Sequence, residues 1–323
     1  MLSKLENTLF SIQTDEDFFS CCLELFQYQR KNNEVYKSFI DHLPSFKEEN
    51  IKSIKDFPFL PIQFFKTQEV VSTLSENYTV FQSSGTTSEN ASKHFVSEIN
   101  LYEKSFLKGF QDFYGNIEGT CIIGLLPSYI ERKNSSLIYM VQKLIALSKH
   151  SKSGFYLHPE KELVNYLHES NDKKILFGVT FALLDFAQQN VSLQNTTIIE
   201  TGGMKGRCEE LTRMALHEKL QQSFKCDIHS EYGMTELLSQ AYNKNGLTFT
   251  APKWMRILVR DANDPFDIRT QGKGAINIID LANIHSCAFI ATDDIGQVHA
   301  DKTFEISGRL DNSDLRGCNL LVV

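Results

Sequence analysis

Short β-branched runs alternate with helix-like segments between about residues 78 and 224, and this alternation restricts the fold more than any other feature. The apolar runs are NYTVF, TCIIGLL, KKILFGV, NTTIIE and CDIHS. Strands separated by helices are typical of parallel sheets whose faces those helices cover. The sequence therefore predicts an α/β fold with mostly parallel sheets. Helical spacing of apolar residues predicts the flanking helices over Leu101–Phe113, Ser136–Ser148, Glu160–Glu169, Thr180–Gln189 and Glu209–Phe224.

The two ends of the chain do not show this alternation of strands and helices. Residues 14–43 predict a helical region with Thr14 as its N-cap, whereas the proline-broken FPFLPIQFF predicts an extended segment. After about residue 245, the runs GAINIIDL, CAFIATDDIGQVHA and TFEISGRL lie between turn residues, without a long helical pattern. Such runs predict an antiparallel sheet or barrel. We therefore predict an α/β region over residues 1–244 and a β-rich subdomain over residues 245–323.

Charge and cysteine content argue against several classes of protein. The net charge of −7 gives no support to nucleic-acid binding, which favours a basic face. The N-terminal MLSKLENTLFSIQTDEDFF is too charged for a signal peptide, and no apolar run approaches the ~18 residues of a membrane-spanning helix. The seven cysteines form no CxxC pair, which argues against a zinc ribbon or a disulfide framework. We therefore predict a cytoplasmic protein without membrane insertion.

A run of small hydroxyl residues follows the first predicted strand, in FQSSGTTSENASKHF. Glycine lets a backbone approach phosphate closely, and serine and threonine add donors without adding charge. The run lacks the G-x-x-x-x-G-K-[ST] pattern of the common nucleoside triphosphatase loop, so a phosphate loop of another type is one interpretation. A surface turn is an equal alternative on this segment alone. The candidate phosphate-binding residues are Ser83, Ser84, Gly85, Thr86 and Thr87.

A second motif, HSEYGMTELL, directly follows a predicted strand. Together with the hydroxyl-rich loop it resembles the adenylate-forming superfamily, which includes acyl-CoA synthetases, peptide-synthetase adenylation domains and luciferases. The resemblance implies that ATP is bound and that Glu236 helps to hold Mg²⁺, although Glu236 could also be a surface residue. It implies that Thr235 contacts phosphate. The same motif assigns nucleotide binding to Glu231, Tyr232 and Gly233.

Three further segments match the superfamily in the expected order. ETGGM resembles the glycine pair beside adenine, which implies a nucleotide role for Gly202 and Gly203. ATDDIG resembles the segment whose aspartate holds the ribose, which implies that role for Asp294, although the segment is also good turn sequence. ISGRLDNSDLRG resembles the hinge motif, in which Arg309 would reach the nucleotide and Asp311 would be the pivot.

The chain also departs from the superfamily. The loop ends in Ser88 without the usual Pro-Lys continuation, so Lys93 is the candidate loop lysine. The sequence ends at Val323, just past the hinge segment, so we expect no full C-terminal lid domain and no pantetheine tunnel. LLPSYIERKNSSLIYMVQKLI resembles the acyl-protein synthetase of the fatty-acid reductase complex in bacterial bioluminescence. That family activates a fatty acid and places the acyl group on its own cysteine near the C-terminus.

The resemblance implies an AMP-forming acid–thiol ligase. A fatty or other carboxylic acid would be activated to acyl-AMP, with ATP and Mg²⁺, and then transferred to a protein thiol. Cys318 is the candidate acceptor and joins Thr235 and Glu236 as a candidate catalytic residue, although Cys318 could also be a half-buried thiol near a chain end. An acyl reductase or acyltransferase would be the partner. Two alternatives stay open: a ligase acting on coenzyme A or a carrier protein, and an inactive nucleotide-binding relative.

Overall fold

The computed structural model describes residues 2–44, 46–83, 91–127, 134–202, 211–244, 246 and 248–310. The chain divides into two compact units. The first unit falls within residues 1–79, 92–98 and 251–323, and the second within residues 80–91 and 99–250. The sequence-based division at residue 245 stays a prediction. No helix in the described ranges is both long and apolar enough to span a membrane.

Helices and strands alternate through most of the chain. The helices of the described part are α1 (Leu2–Thr8), α2 (Asp15–Asn32), α3 (Glu34–Asp41), α4 (Phe64–Thr67), α5 (Ile99–Tyr114), α6 (Ser136–Ser148), α7 (Lys161–Glu169), α8 (Thr180–Ala187) and α9 (Arg213–Phe224). Short 3₁₀ turns lie at Leu9–Ser11, Glu48–Asn50 and Ile54–Asp56. The strands are β1 (Leu60–Pro61), β2 (Thr79–Gln82), β3 (Lys93–Val96), β4 (Cys121–Leu125), β5 (Gly154–Tyr156), β6 (Lys174–Val179), β7 (Thr196–Thr201), β8 (Asp227–Tyr232), β9 (Ala241–Asn243), β10 (Met255–Arg260), β11 (Ile268–Arg269), β12 (Gly272–Asp280), β13 (Phe289–Val298) and β14 (Phe304–Arg309).

The second unit is built on a sheet with the order β5-β4-β6-β7-β8-β9. The strands from β5 to β8 in this order are parallel, and β9 pairs antiparallel with β8. All residues of β4 and β6 are buried, as is typical of parallel strands covered on both faces. Helices α6 to α9 connect the parallel strands in succession. The predicted α/β fold with mostly parallel strands and flanking helices is confirmed.

The first unit contains a second sheet with the order β1-β13-β12-β10-β11, and β14 pairs with β13 on the same side as β1. Its C-terminal strands are antiparallel to one another, as predicted from their short runs and turns. The short strand β1 adds in parallel to β13, with Leu60 opposite Ile290. The N-terminal region therefore completes a sheet that is otherwise built from residues 255–309.

An aromatic core holds the first unit together around Phe289 of β13. The Phe57 ring stacks on Phe289 with 4.7 Å between the centroids, and Phe26 and Tyr36 from α2 and α3 lie 6.2 and 6.1 Å away. Each buried aromatic ring removes a large apolar area from water, which stabilises the fold by a few kcal/mol. Gln29 of α2 completes the contact through its amide, which accepts from Ala288 N at 3.0 Å.

Candidate nucleotide site at the strand ends

The carboxyl ends of β6, β7 and β8 lie side by side in the sheet of the second unit. In open α/β sheets, ligands bind outside this edge, where loops leave the strands. Thr180 follows β6, Gly202 follows β7, and Gly233 follows β8. Gly202 has a φ of +79°, in the left-handed region that favours glycine. The two nucleotide motifs predicted from sequence, at Gly202 and at Tyr232–Gly233, therefore end adjacent strands.

Two side-chain pairs connect β7 and β8 near this edge. The register places Glu200 opposite Ser230 and Thr201 opposite Glu231. Ser230 Oγ donates to Glu200 Oε2 at 3.1 Å, and Thr201 Oγ1 donates to Glu231 Oε2 at 2.5 Å. Successive residues of a strand point to opposite faces, so the two pairs lie on opposite faces of the sheet. Each carboxyl group is thus held by a hydroxyl group from the neighbouring strand.

The Glu200 pair extends into a buried hydrogen-bond network. Thr180 Oγ1 lies 2.6 Å from Glu200 Oε1 and 3.1 Å from the carbonyl oxygen of Gly202. On the other side, His217 Nε2 of α9 lies 2.7 Å from Ser230 Oγ. Because Ser230 donates its proton to Glu200, its oxygen accepts from His217, which places the imidazole proton on Nε2. The network therefore joins three strand ends to α9.

The opposite face presents Glu231 beside Gly233. A Cβ atom built on Gly233 would lie 2.3 Å from Glu231 Oε1, a distance that real side chains do not adopt. Glycine at this position therefore leaves the space that the Glu231 carboxyl group occupies. Gly233 itself is exposed and Glu231 is half-buried. Tyr232 lies between these two residues in the sequence, and its ring is buried against Phe249, with 5.8 Å between the ring centroids.

Burial changes the protonation of the site. The pKa of Glu231 is raised to about 7, chiefly by desolvation and to a smaller extent by the nearby Glu200 carboxyl group, while the Thr201 hydrogen bond acts in the lowering direction. Desolvation also raises the pKa of Glu200. The pKa of His217 falls to about 4, chiefly because burial disfavours the imidazolium and secondarily because Arg213 lies nearby. Perturbed titratable groups clustered at a strand edge are typical of functional sites.

Thr235 and Glu236 continue from β8 into a turn closed by Leu237 N donating to Met234 O at 3.1 Å. Thr235 is half-buried, and Glu236 is 5% exposed. No group of three or more His, Cys, Asp or Glu side chains that could hold a metal occurs in the described ranges. One carboxylate fits Mg²⁺ bound mainly through substrate phosphates and water, because Mg²⁺ usually takes few protein ligands in such sites.

Asp294 and Arg309 lie in the first unit, where β13 and β14 pair these two residues directly. Arg309 Nε donates to Asp294 Oδ1 at 2.9 Å; the Arg309 side chain is 69% exposed and the Asp294 side chain 7%. The neighbouring Asp293 accepts from Gln63 Nε2 at 2.5 Å. The two residues that the sequence assigned to ribose and nucleotide are therefore in contact with each other.

The other predicted residues fall into two groups. Ser83 is half-buried after β2, and Lys93 is exposed at the start of β3. The rest lie outside the described residues: Ser84, Gly85, Thr86, Thr87, Gly203, Asp311 and Cys318.

The sequence analysis assigned no role to four members of the buried network, although two of them lie within the quoted motifs: Thr180, Glu200, Ser230 and His217. One available signal was their position, because Thr180, Glu200 and Ser230 lie at or next to the ends of three predicted strands. A glutamate in a β-branched run, as in NTTIIE, was another. Acidic residues are rarely fully buried unless they are paired, so such a position predicts a hydrogen-bonded partner.

Comparison with known proteins gives a family and a fold. A family model described as acyl-protein synthetase, LuxE, matches residues 8–323. A search of curated proteins gives no match.

Solved structures are similar at low identity. A 2-hydroxyisobutyryl-CoA ligase, in an open conformation with 2-HIB-AMP and CoA, aligns at 11% identity and a TM-score of 0.68, over 92% of this chain and 70% of that chain. ATP-bound MatB from Rhodopseudomonas palustris aligns at 15% identity and a TM-score of 0.54, over 74% of this chain and 50% of the MatB chain. The luciferase-like enzyme from the nonluminescent Zophobas morio mealworm aligns at 15% identity and a TM-score of 0.52, over 72% of this chain and 57% of that chain. The fold is that of adenylate-forming enzymes.

Proposed function

Because the chain belongs to the LuxE acyl-protein synthetase family, we propose that it activates a carboxylic acid with ATP and transfers the acyl group to a protein thiol. One observation of the structure supports this most directly. Gly202 and the segment Glu231–Gly233, which resemble nucleotide-binding motifs, end adjacent parallel strands at the edge where α/β sheets bind ligands. A fatty acid is the proposed substrate class.

In the first step, a carboxylate oxygen of the acid attacks the α-phosphorus of ATP. The bond from that phosphorus to the bridging oxygen breaks, and pyrophosphate leaves with the electron pair, giving acyl-AMP. A carboxylic acid is ionised near neutral pH, so this step needs no general base. Catalysis then rests on positioning and on donors aimed at the developing charge.

The proposed contributions of the residues follow from their chemistry. Ser83 and its hydroxyl-rich neighbours would donate to the phosphates, and Thr235 would also contact phosphate. Glu236 would hold Mg²⁺, which supplies neutralisation of the phosphate charge. In the first unit, Asp294 would accept from the ribose hydroxyls and Arg309, whose side chain is largely exposed, would reach the nucleotide.

In the second step, a thiolate attacks the acyl carbon of acyl-AMP. The new carbon–sulfur bond replaces the bond to the phosphate oxygen, AMP leaves, and the thiol proton passes to solvent. Burial raises the pKa of Cys21, Cys22, Cys121, Cys226 and Cys287, with Cys226 and Cys287 at about 12. These thiols are poor nucleophiles near neutral pH, since the thiolate is the reactive form. Their state argues against these five cysteines, and the family resemblance favours Cys318 over Cys208 as the acceptor.

The acyl group would then pass to an acyl reductase or acyltransferase, and the protein would act in the cytoplasm. Transfer to coenzyme A is a second candidate, because the solved ligase with 2-HIB-AMP also carries CoA.

Exchange of labelled pyrophosphate into ATP tests the first step. With Mg²⁺ and a panel of fatty and aryl acids, the protein should catalyse acid-dependent exchange. Folded protein that gives no exchange with any acid of the panel would refute the activation step.

Trapping of a thioester tests the second step. Incubation with ATP, Mg²⁺ and the acid should give a hydroxylamine-sensitive mass adduct on Cys318. Cys318→Ser should lose the adduct and keep pyrophosphate exchange, whereas the matched control Cys226→Ser should keep both. An adduct that survives in Cys318→Ser, or that maps to Cys208, would identify a different acceptor. Exchange without an adduct, together with acyl-CoA formation when coenzyme A is added, would favour the second candidate.

A further inference from the structure

Thr180 holds a position that the nucleotide motifs do not explain. It directly follows the last residue of β6 and begins α8, and its side chain is buried at 2% exposure. Its hydroxyl group lies within hydrogen-bond distance of two acceptors, Glu200 Oε1 at 2.6 Å and Gly202 O at 3.1 Å. The single hydroxyl proton is shared between the two acceptors or, when Glu200 is protonated, goes to Gly202 O while Thr180 Oγ1 accepts from the carboxyl group. In either arrangement one hydroxyl group links a buried carboxyl group to Gly202.

The Gly202 turn needs such a support because the sheet ends just before it. The ladder between β6 and β7 closes with Val179 opposite Thr201, one residue before Gly202. Gly202 then adopts a φ of +79°, which favours glycine, and glycine has no side chain that could pack against its surroundings. The hydroxyl group of Thr180 reaches the carbonyl of this turn from the neighbouring strand end, where the backbone ladder no longer holds it.

The buried network also holds Glu200, the residue that Thr180 contacts. Glu200 receives a second hydrogen bond from Ser230 at 3.1 Å, and Ser230 is held by His217 at 2.7 Å. All of these side chains are buried, and burial strengthens their hydrogen bonds because water does not compete. A network satisfied in this way fixes the position of its members, so the orientation of the Gly202 carbonyl is coupled to α9.

We infer that Thr180 is a positioning residue for the nucleotide, which fixes the Gly202 turn by joining it to Glu200. This inference rests on the proposed role of Gly202 in nucleotide binding. Thr180 acts through Gly202 and does not itself contact the reacting atoms. Its loss should therefore weaken nucleotide binding and leave binding of the acid unchanged.

The test compares three substitutions. Thr180→Val keeps the shape of the side chain and removes the hydroxyl group, Thr180→Ser restores the hydroxyl group, and Thr196→Val is the matched control. Thr196 lies at the opposite, amino end of β7, where its buried hydroxyl group donates to Gln194 O at 2.7 Å. The measurements are the KM for ATP and for the acid in pyrophosphate exchange, AMP affinity by calorimetry, and the Tm.

Loss of one positioning hydrogen bond corresponds to roughly a tenfold effect. We expect Thr180→Val to raise the KM for ATP and the Kd for AMP about tenfold, with an unchanged KM for the acid. Thr180→Ser should return both values to within about threefold of wild type. Thr196→Val should lower the Tm and leave both nucleotide values unchanged. If Thr180→Val does not fold, Thr180→Ala removes the same hydroxyl group and leaves space for water.

The outcomes separate this inference from the proposed function. Wild-type protein that binds no AMP and exchanges no pyrophosphate would refute the proposed function and remove the premise. Wild-type protein that binds AMP, with a Thr180→Val variant of equal affinity, would refute the inference alone. An equal rise in KM for both substrates, or the same nucleotide effect in Thr196→Val, would show a general structural role and also refute it.

Discussion

Replacing Glu231 with glutamine should stabilise the protein in a pH-dependent way. The carboxyl group is half-buried, accepts a hydrogen bond from Thr201 and lies over Gly233. Glutamine has nearly the same shape and can still accept from Thr201 through its amide oxygen. The substitution therefore removes the ionisation of the side chain and little else.

The magnitude follows from the raised pKa of Glu231, which is about 7 against an ordinary value of 4.5, chiefly because of desolvation. A raised carboxyl pKa means that the folded state favours the protonated form. This contribution to stability is fully present below pH 4.5 and is lost as the pH rises through 7. The difference of about 2.5 pH units corresponds to about 3 kcal/mol, and access of water to the half-buried group makes this an upper limit.

Urea unfolding at pH 5 and pH 8 measures the effect. We expect Glu231→Gln to raise the free energy of unfolding at pH 8 by up to about 3 kcal/mol relative to wild type, and by much less at pH 5. Glu169→Gln, at an exposed position in the last turn of α7, is the matched control and should show no such pH dependence. Equal stabilisation at both pH values, or lower stability of Glu231→Gln at pH 8, would refute the reasoning.

Three further predictions concern the same strand edge. Gly233→Ala should displace the Glu231 carboxyl group, lower the free energy of unfolding by about 1 kcal/mol and reduce pyrophosphate exchange about tenfold or more, with wild-type exchange as the contrary result. Glu236→Gln should reduce exchange on the order of 10²-fold without a change in Tm; wild-type rates across a Mg²⁺ titration would remove Glu236 from the site. The buried His217, with a pKa lowered from 6.5 to about 4, should cost about 3 kcal/mol of stability as the pH falls from 6.5 to 4, because the unfolded state binds the proton first. The free energy of unfolding of His217→Gln should fall less steeply than that of wild type between pH 6.5 and pH 4. Equal slopes for the two proteins would contradict the lowered pKa of His217.

The sequence periodicity predicted most of the elements of the second unit. The predicted helix Ser136–Ser148 has those bounds in the structure, and the five predicted strands are present, with ends that differ by a few residues. Residues 14–43 are largely helical as predicted and Thr14 caps the first turn, but the region contains two helices, because α2 ends at Asn32 and α3 begins at Glu34. Asn33 separates them with an extended backbone, and its side chain caps α3 by accepting from Tyr36 N at 2.9 Å. Apolar spacing continues across this break and therefore does not reveal it.

Long-range pairing was not accessible from local patterns. The segment FPFLPIQFF was predicted as extended, which holds for its first part up to β1, whereas its last residues, Phe64 and Phe65, already belong to α4. The pairing of β1 with β13 depends on residues more than 200 positions away. A two-residue strand has no measurable period, and its proline is tolerated because β1 lies at the end of the strand order. The same limit applies to Thr180, whose proposed role depends on the register that places it beside Gly202.

The strand register also explains why two acidic residues can share this edge. Glu200 and Glu231 belong to adjacent strands, but the register offsets them by one residue, with Ser230 and Thr201 as their respective partners. Alternation along each strand then sends the two carboxyl groups to opposite faces, so each meets a hydroxyl donor instead of the other carboxylate. A shift of β8 by one residue would pair Glu200 directly with Glu231, and two buried like charges on the same face would strongly favour protonation of one of them. The segments ETG and SEYG therefore favour the observed register, because this alignment gives each carboxyl group a hydroxyl donor.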